Sequence, residues 1–267
     1  VRVIVTRPKQ EARQWVNALA DAGYETVALP LIDVLPPPHP ETVHAAWQRL
    51  HSFDAVMFVS GNAVDHFFAL KPAAALVLDA QGAIKIRAFV TGPGSFSALR
   101  RAQVDPTGID MPDREAGQFD SEALWAVVGQ RVQPGFRILI VRGAGSTEVQ
   151  ADAASDGAGR DWFADQVRAA GGSVEFVVSY QRRAPELAPN ALALAQVAAS
   201  DGSVWLFSSS EAIGNLVAAC AGQSWVRAKA VVTHSRIAQT ARAAGFGVVC
   251  ESRPTLPALM ASIESLQ

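Results

Sequence analysis

Six points along the chain carry short groups of small polar or basic residues of the kind that hold anions. They are Thr6-Arg7, Ser60-Gly61-Asn62, Thr91-Gly92-Pro93-Gly94-Ser95, Arg142-Gly143, Ser208-Ser209-Ser210 and Thr233-His234-Ser235-Arg236. Each follows a short apolar run. In parallel α/β sheets such positions are the carboxyl ends of strands, where helix N-termini offer unpaired N–H groups. Any one of them could be no more than a helix cap, worth about 1 kcal/mol. Together they make a surface of amide donors, hydroxyls and guanidinium groups suited to a ligand with many carboxylates. Tyr180 adds a different chemistry. It is a phenol where an apolar run, Ser173–Val178, gives way to Arg182 and Arg183, and it reads either as a strand-end tyrosine or as a hydrogen-bond donor and general acid.

Most familiar catalytic signatures are missing. Gly143-Ala144-Gly145 begins a dinucleotide fingerprint, but Glu148 stands where the third glycine belongs and would repel a pyrophosphate. No phosphate-binding G-x-x-x-x-G-K-[ST] run and no G-x-S-x-G elbow occurs. His39, His44, His51, His66 and His234 lack metal-ligand spacing, and neither Cys220 nor Cys250 has a metal partner nearby in sequence. Any catalysis is therefore expected to need no cofactor and no metal.

The elements that must position these groups alternate regularly. Val1–Thr6 is almost wholly β-branched, as in a parallel strand buried on both faces. Glu11–Ala22 has helical spacing and stops at Gly23. Thr26–Val34 reads as one strand running into Pro36-Pro37-Pro38-His39-Pro40, a stiff segment that suits a crossing between domains. Further strands are expected at Asp54–Val59, Ile86–Thr91, Arg137–Val141, Ser173–Pro185, Val204–Phe207, Ala230–Thr233 and Val248–Glu251. A weak one at Val104–Ile109 is interrupted by Pro106. Helical patterns lie between them, and Ala144–Gly159, rich in Ala, Gly, Asp and Ser, reads as a loop. This alternation predicts an α/β architecture with parallel sheets.

An internal repeat underlies the alternation. VIVTR at Val3–Arg7 resembles LIVR at Leu139–Arg142, and FVSGNAV at Phe58–Val64 resembles FSSSEAI at Phe207–Ile213. FVTGPGSFSAL at Phe89–Leu99 resembles VVTHSRIAQTA at Val231–Ala241. The matches keep the same order, so two similar five-stranded halves are expected. Each half opens with a strand–helix–strand unit whose second strand ends at a proline. If both of those strands cross a hinge, residues 1–35 dock with 183–267 and residues 36–182 form the second domain. Two antiparallel crossings, near 33–40 and 178–186, would join them, with the functional site expected in the cleft so formed.

With 267 residues, 49% of them hydrophobic, the chain can fill two ordinary domains. The charge is nearly balanced, 23 basic against 25 acidic residues, which disfavours a nucleic-acid partner. No apolar run of membrane-spanning length occurs, and VRVIVTRP enters a strand pattern without the head and core of a signal peptide. A cytoplasmic location with reduced thiols is expected.

Read together, VIVTRP, LPLIDVLP, FVSGNAV, VTGPGSFSAL, DSEALWAV, ILIVRG, GRDWFADQVRAAGGSVEFVVSYQRR, LFSSSEAIGNL and SRIAQTARAAGFGVV resemble the uroporphyrinogen-III synthase family across essentially the whole chain. The order and spacing of the pieces carry the resemblance. It implies two similar α/β domains joined by a two-stranded linker. The implied reaction is cyclisation of hydroxymethylbilane to uroporphyrinogen III with loss of water and inversion of ring D, in heme biosynthesis. Tyr180 matches the family's candidate acid, and Ser60, Ser95 and Ser209 match hydroxyl positions of its site. The substrate-binding residues expected on this reading are Arg7, Ser60, Asn62, Gly92, Ser95, Arg142, Gly143, Arg160, Ser208, Ser209, Ser210 and Arg236. His234 stands where a glycine is usual and Ile237 where a threonine or serine is common. A monomer is expected, touching at most transiently the enzyme that supplies hydroxymethylbilane. The alternative on the residues alone is a non-enzymatic two-domain sensor for an anionic ligand.

Overall fold

The computed structural model describes residues 1–73, 86–113, 119–145 and 158–266, the side chains of 158–161 left aside. In chain order the elements are β1 (Arg2–Val5), α1 (Lys9–Asp21), β2 (Glu25–Ala28), β3 (Asp33–Leu35), α2 (Pro40–Gln48), β4 (Ala55–Phe58) and α3 (Gly61–Ala69). There follow β5 (Arg87–Val90), α4 (Pro93–Arg101), β6 (Ile109–Asp110), α5 (Ser121–Val128), β7 (Arg137–Ala144), α6 (Ala158–Ala169) and β8 (Ser173–Arg183). The last are α7 (Pro189–Ala198), β9 (Val204–Phe207), α8 (Ser210–Ala219), β10 (Lys229–Val232), α9 (Ser235–Ala243), β11 (Val248–Glu251) and α10 (Leu256–Glu264).

The chain divides into two compact units, one of Val1–Asp33 with Arg183–Gln267 and the other of Val34–Arg182. The first holds a five-stranded sheet in the order β11-β10-β9-β1-β2, with every pair parallel. Val3, Val5, Leu206 and Val231 pack one face against α1 and α10 through Leu19, Leu259 and Ile263. On a second aromatic cluster, Trp205 stacks on Phe207 and meets the Trp225 ring edge-on. Gly23 stops α1 as its sequence position suggests. Its φ of +91° is one that side chains disfavour, and its N–H donates to the Ala20 carbonyl.

The second unit holds a six-stranded sheet in the order β3-β8-β7-β4-β5-β6. Strict alternation sorts its strands between two layers. Val56, Phe58, Leu139, Val141 and Val177 face the core closed by α2, α3 and α4. Ala55, Met57, Ile138 and Ile140 face the core closed by α5 and α6.

The repeat predicted from the sequence reappears as topology. Strands β2-β1-β9-β10-β11 of one sheet correspond in order to β8-β7-β4-β5-β6 of the other. Each sheet reverses its strand order where a strand–helix–strand unit meets a three-strand run, at β1/β9 and at β7/β4. Three expectations are corrected. The halves are not equal, because β3 adds a sixth strand beside β8. Thr26–Val34 is two strands in two sheets, not one. Leu29 and Leu31 donate to the Val5 and Thr6 carbonyls on either side of Pro30, whose missing N–H would face the open edge, and the chain then leaves for β3 in the other sheet. Pro106 does not interrupt a strand over 104–109 but opens a 3-10 turn capped by Asp105, and the edge strand starts only at Ile109. Arg183 Nε lies 3.4 Å from Asp33 Oδ2, setting the start of β3 at the end of β8, so the two run antiparallel. Of the loop expected over 144–159, residues 146–157 lie outside the described residues, Ala144 completes β7 and α6 begins at Ala158. Both cysteines are free thiols, Cys220 buried and Cys250 half-buried.

Phe67 is fully buried on α3, stacked on Trp47 with ring centroids 4.5 Å apart and meeting Phe58 edge-on. Phe67→Ala is expected to destabilise this unit by about 3–5 kcal/mol, read as a lowered midpoint in urea unfolding. A shift below 1 kcal/mol would contradict the packing described.

Candidate active site

Open parallel sheets gather ligands at the carboxyl ends of strands where the strand order reverses, because the flanking loops diverge there and leave a crevice. In the second unit that point lies between β4 and β7. Ser60 follows β4 and is the N-cap of α3, its Oγ accepting from the Ala63 N–H at 3.1 Å. The same Oγ lies 3.0 Å from the Tyr180 hydroxyl, with either oxygen able to donate. Tyr180 comes from β8 and is 4% exposed.

Tyr180 reaches Ser60 because the β7–β8 ladder slips by one residue. Arg142 pairs with Val178, and Gly143 already pairs with Tyr180, leaving Ser179 as the extra residue. In a regular strand Val177 and Ser179 would share one face and Tyr180 would take the other. The bulge puts Tyr180 on the face of Val177, within the core closed by α3. Ser179, buried, donates to the Ala63 carbonyl at 3.2 Å and pins the bulge to α3. The His66 imidazole stacks on the Tyr180 ring, centroids 5.7 Å apart and planes 24° from parallel. Burial pushes the His66 imidazole below its ordinary value of 6.5, with Asp65 pulling the other way, so it is neutral at pH 7.

Of the residues expected from sequence, Ser60, Gly143 and Tyr180 are brought together here. Asn62 is in the first turn of α3, and Gly92 and Ser95 open the adjacent helix α4. The ends of α3 and α4 approach closely, since a Cβ on Gly61 would stand 3.6 Å from the Gly94 carbonyl. Arg142 is buried with its guanidinium 4.7 Å over the Phe176 ring, on the face of the sheet opposite Tyr180. Arg160 lies in the first turn of α6, its side chain outside the described residues.

The remainder belong to the first unit, at the ends of β1, β9 and β10. Arg7 bonds Glu11 at 3.0 Å and lies 4.6 Å over Trp15, and its buried Nε has no partner among the described residues. Ser209 caps α8 through the Glu211 N–H, Ser208 precedes it, and Ser210 meets Thr240 Oγ1 at 3.1 Å. His234 caps α9, its Nδ1 accepting the Arg236 N–H at 3.1 Å, so an imidazole serves as the N-cap here. Among the described residues no cluster of three His, Cys, Asp or Glu could hold a metal, and no helix is long and apolar enough to cross a membrane.

Sequence reasoning missed His66 and Ser179. A signal for the first exists: Ser60, Ala63 and His66 lie three apart along one side of α3, in line with the cap. Ser179 gave none, because a bulge leaves no mark in strand periodicity.

The profile of the family described as Uroporphyrinogen-III synthase HemD matches residues 13–261. The porphyrin biosynthesis protein HemD of Ruminiclostridium josui is 25% identical over 139 residues, covering 52% of this chain and 26% of that protein, so the chain spans about a quarter of this relative's length. Among solved structures, a mutant uroporphyrinogen III synthase from Thermus thermophilus superposes with a TM-score of 0.57 at 14% identity, covering 100% of this chain and 98% of that one. The uroporphyrinogen-III synthetase of Helicobacter pylori gives 0.54 at 15% identity with 100% of both chains covered. These two likenesses are of fold, and the sequence profile adds the family. The chain belongs to the uroporphyrinogen-III synthase family.

Proposed function

We propose that the chain cyclises hydroxymethylbilane to uroporphyrinogen III, and that Tyr180 is the acid that starts the reaction. The hydroxyl of the linear tetrapyrrole leaves with the C–O electron pair, and the phenolic proton completes the departing water. An azafulvene cation remains on ring A and a phenolate on Tyr180. The substituted carbon of ring D bonds to the ring A methylene, giving a spiro intermediate. Fragmentation and reclosure invert ring D, and the proton released at the end balances the one spent.

One observation carries this reading: the 3.0 Å contact between Ser60 Oγ and the Tyr180 hydroxyl. Ser60 already accepts the Ala63 N–H, so it can turn its own proton toward Tyr180. In that arrangement the phenolic proton is free for the leaving hydroxyl, and Ser60 supports the developing phenolate. The positive end of α3 adds to this support. His66, uncharged, adds no positive charge beside a forming cation.

Selectivity is the harder task, since unassisted closure gives the product without inversion. Each tenfold preference requires about 1.4 kcal/mol of differential transition-state stabilisation, and holding the ends of a flexible chain in place supplies it mainly by orientation. Amide and hydroxyl donors at the helix N-termini that follow β4 and β5 would meet carboxylates of the substrate, each helix end contributing about 0.3–1 kcal/mol. In the first unit Arg7 is suited to an anion, because Glu11 and Trp15 hold it in place while its Nε has no partner among the described residues. The same reading has a cytoplasmic enzyme working as a monomer, with any contact to the enzyme that supplies hydroxymethylbilane a transient one.

Product isomer analysis after feeding hydroxymethylbilane tests the assignment. Predominantly type III product is expected, and type I product at the level of the enzyme-free control would reject it in favour of an anion-binding protein. Tyr180→Phe is expected to lower kcat on the order of a hundredfold with unfolding unchanged, and undiminished turnover would remove Tyr180 from the chemistry. A second expectation concerns acid. His66 prefers its neutral form when folded, so the stability it contributes is complete above its unfolded pKa of about 6.5 and is lost as pH falls through that value toward the lower folded one. Denaturation midpoints measured from pH 7.5 to 5 should fall for the wild type and fall less for His66→Leu. Parallel curves would contradict a depressed His66.

A further inference from the structure

A phenol serves as a directed acid only if its ring is held, and the surroundings of Tyr180 hold it from three sides. Its hydroxyl meets Ser60. Its ring lies on the backbone of Gly143 so closely that a Cβ there would stand 2.3 Å from Cζ and 2.6 and 2.7 Å from the two Cε atoms. No side chain fits at position 143 while the ring stays where it is. The backbone itself makes no such demand, because Gly143 is not among the glycines with positive φ. The third side is the His66 imidazole, stacked on the ring.

We propose that Gly143 and His66 are positioning residues for Tyr180, and that Gly143 acts by leaving room for the phenol rather than by touching substrate. The register slip between Arg142 and Gly143 is what sets the glycine opposite the ring. The bulge, the missing side chain and the imidazole are then parts of one device that fixes where the phenolic proton points. This rests on the reading of Tyr180 as the acid.

The test pairs turnover with a measurement that needs no turnover. Gly143→Ala should lower kcat about 30- to 100-fold, with KM within about threefold of wild type, because the ring is displaced by an ångström or more. In a Tyr180→Ala background the clash disappears, and the same substitution should cost less than about twofold. His66→Ala should lower kcat about three- to tenfold. A loss of the same size in both backgrounds, or a rise in KM without a fall in kcat, would show Gly143 meeting substrate directly and overturn the proposal. The chain has two tyrosines, so Tyr24→Phe leaves Tyr180 as the sole ring to observe by NMR in tyrosine-labelled protein. Its ring signals should move in both Gly143→Ala and His66→Ala, and unmoved signals would overturn the positioning role whatever the activity. If no variant and no wild type turns over hydroxymethylbilane, the proposed reaction fails while the NMR arm still decides the placement. Should Gly143→Ala not fold, the double variant with Tyr180→Ala should restore folding, and failure to do so would again count against the clash.

Discussion

The slip of one residue between β7 and β8 is the constraint from which the candidate site follows. Side chains alternate strictly along a strand, so a regular β8 would turn Tyr180 away from α3 and toward α6. The extra residue, Ser179, reverses that. It is held at the cost of one ladder position, offset by the bond from Ser179 to the Ala63 carbonyl and by the burial of the phenol ring. Both compensating contacts involve α3, whose own start is set by Ser60. The cap, the bulge and the phenol are therefore one cooperative arrangement, and none of the three has its observed geometry without the others.

The swapped strand–helix–strand units explain why this arrangement draws on distant parts of the chain. Within the second unit, β4 and β7 are neighbours at the reversal of strand order, yet more than seventy residues lie between them. The same holds for β1 and β9 in the first unit. Each reversal point joins a terminal strand–helix–strand unit to a three-strand run, so each unit closes only when both segments have been made. Loop closure over such distances is entropically unfavourable, and it is repaid by fully buried strands such as Val3–Val5, Ala55–Phe58 and Val204–Phe207.

What was legible in the sequence follows from which signals are periodic. Buried parallel strands are near-continuous apolar runs, so β1, β4, β7 and β9 could be read at once, and the repeat among their ends showed that there are two related sheets. Tyr180 was legible as a phenol where an apolar run stops. Gly143 was flagged for its place after a strong strand, but its steric relation to Tyr180 is a fact of strand pairing that no single stretch encodes. The passage from one sheet to the other between Leu31 and Asp33 leaves no mark in the sequence, because Thr26–Val34 keeps its apolar composition on both sides of it. His66 was passed over for a similar reason, since a half-buried histidine on a helix has no distinctive surroundings until the strand it stacks on is known.

Charge distribution completes the argument for a neutral acid. A reaction that passes through a cation would be opposed by a nearby fixed positive charge, the more so where water is excluded. Two basic groups of this unit are directed elsewhere. Arg142, though next to Gly143 in sequence, turns to the opposite face of the sheet and lies over Phe176. Arg101 faces both carboxylate oxygens of Asp65 at 3.2 Å, and His66 is kept uncharged by burial. Among the described contacts of the phenol are a hydroxyl, an imidazole and a glycine backbone. On the proposed reaction, such surroundings would leave anion binding in this unit to helix N-termini, whose partial charges are spread over several N–H groups, and would let the phenol give up its proton without a full positive charge facing the forming cation.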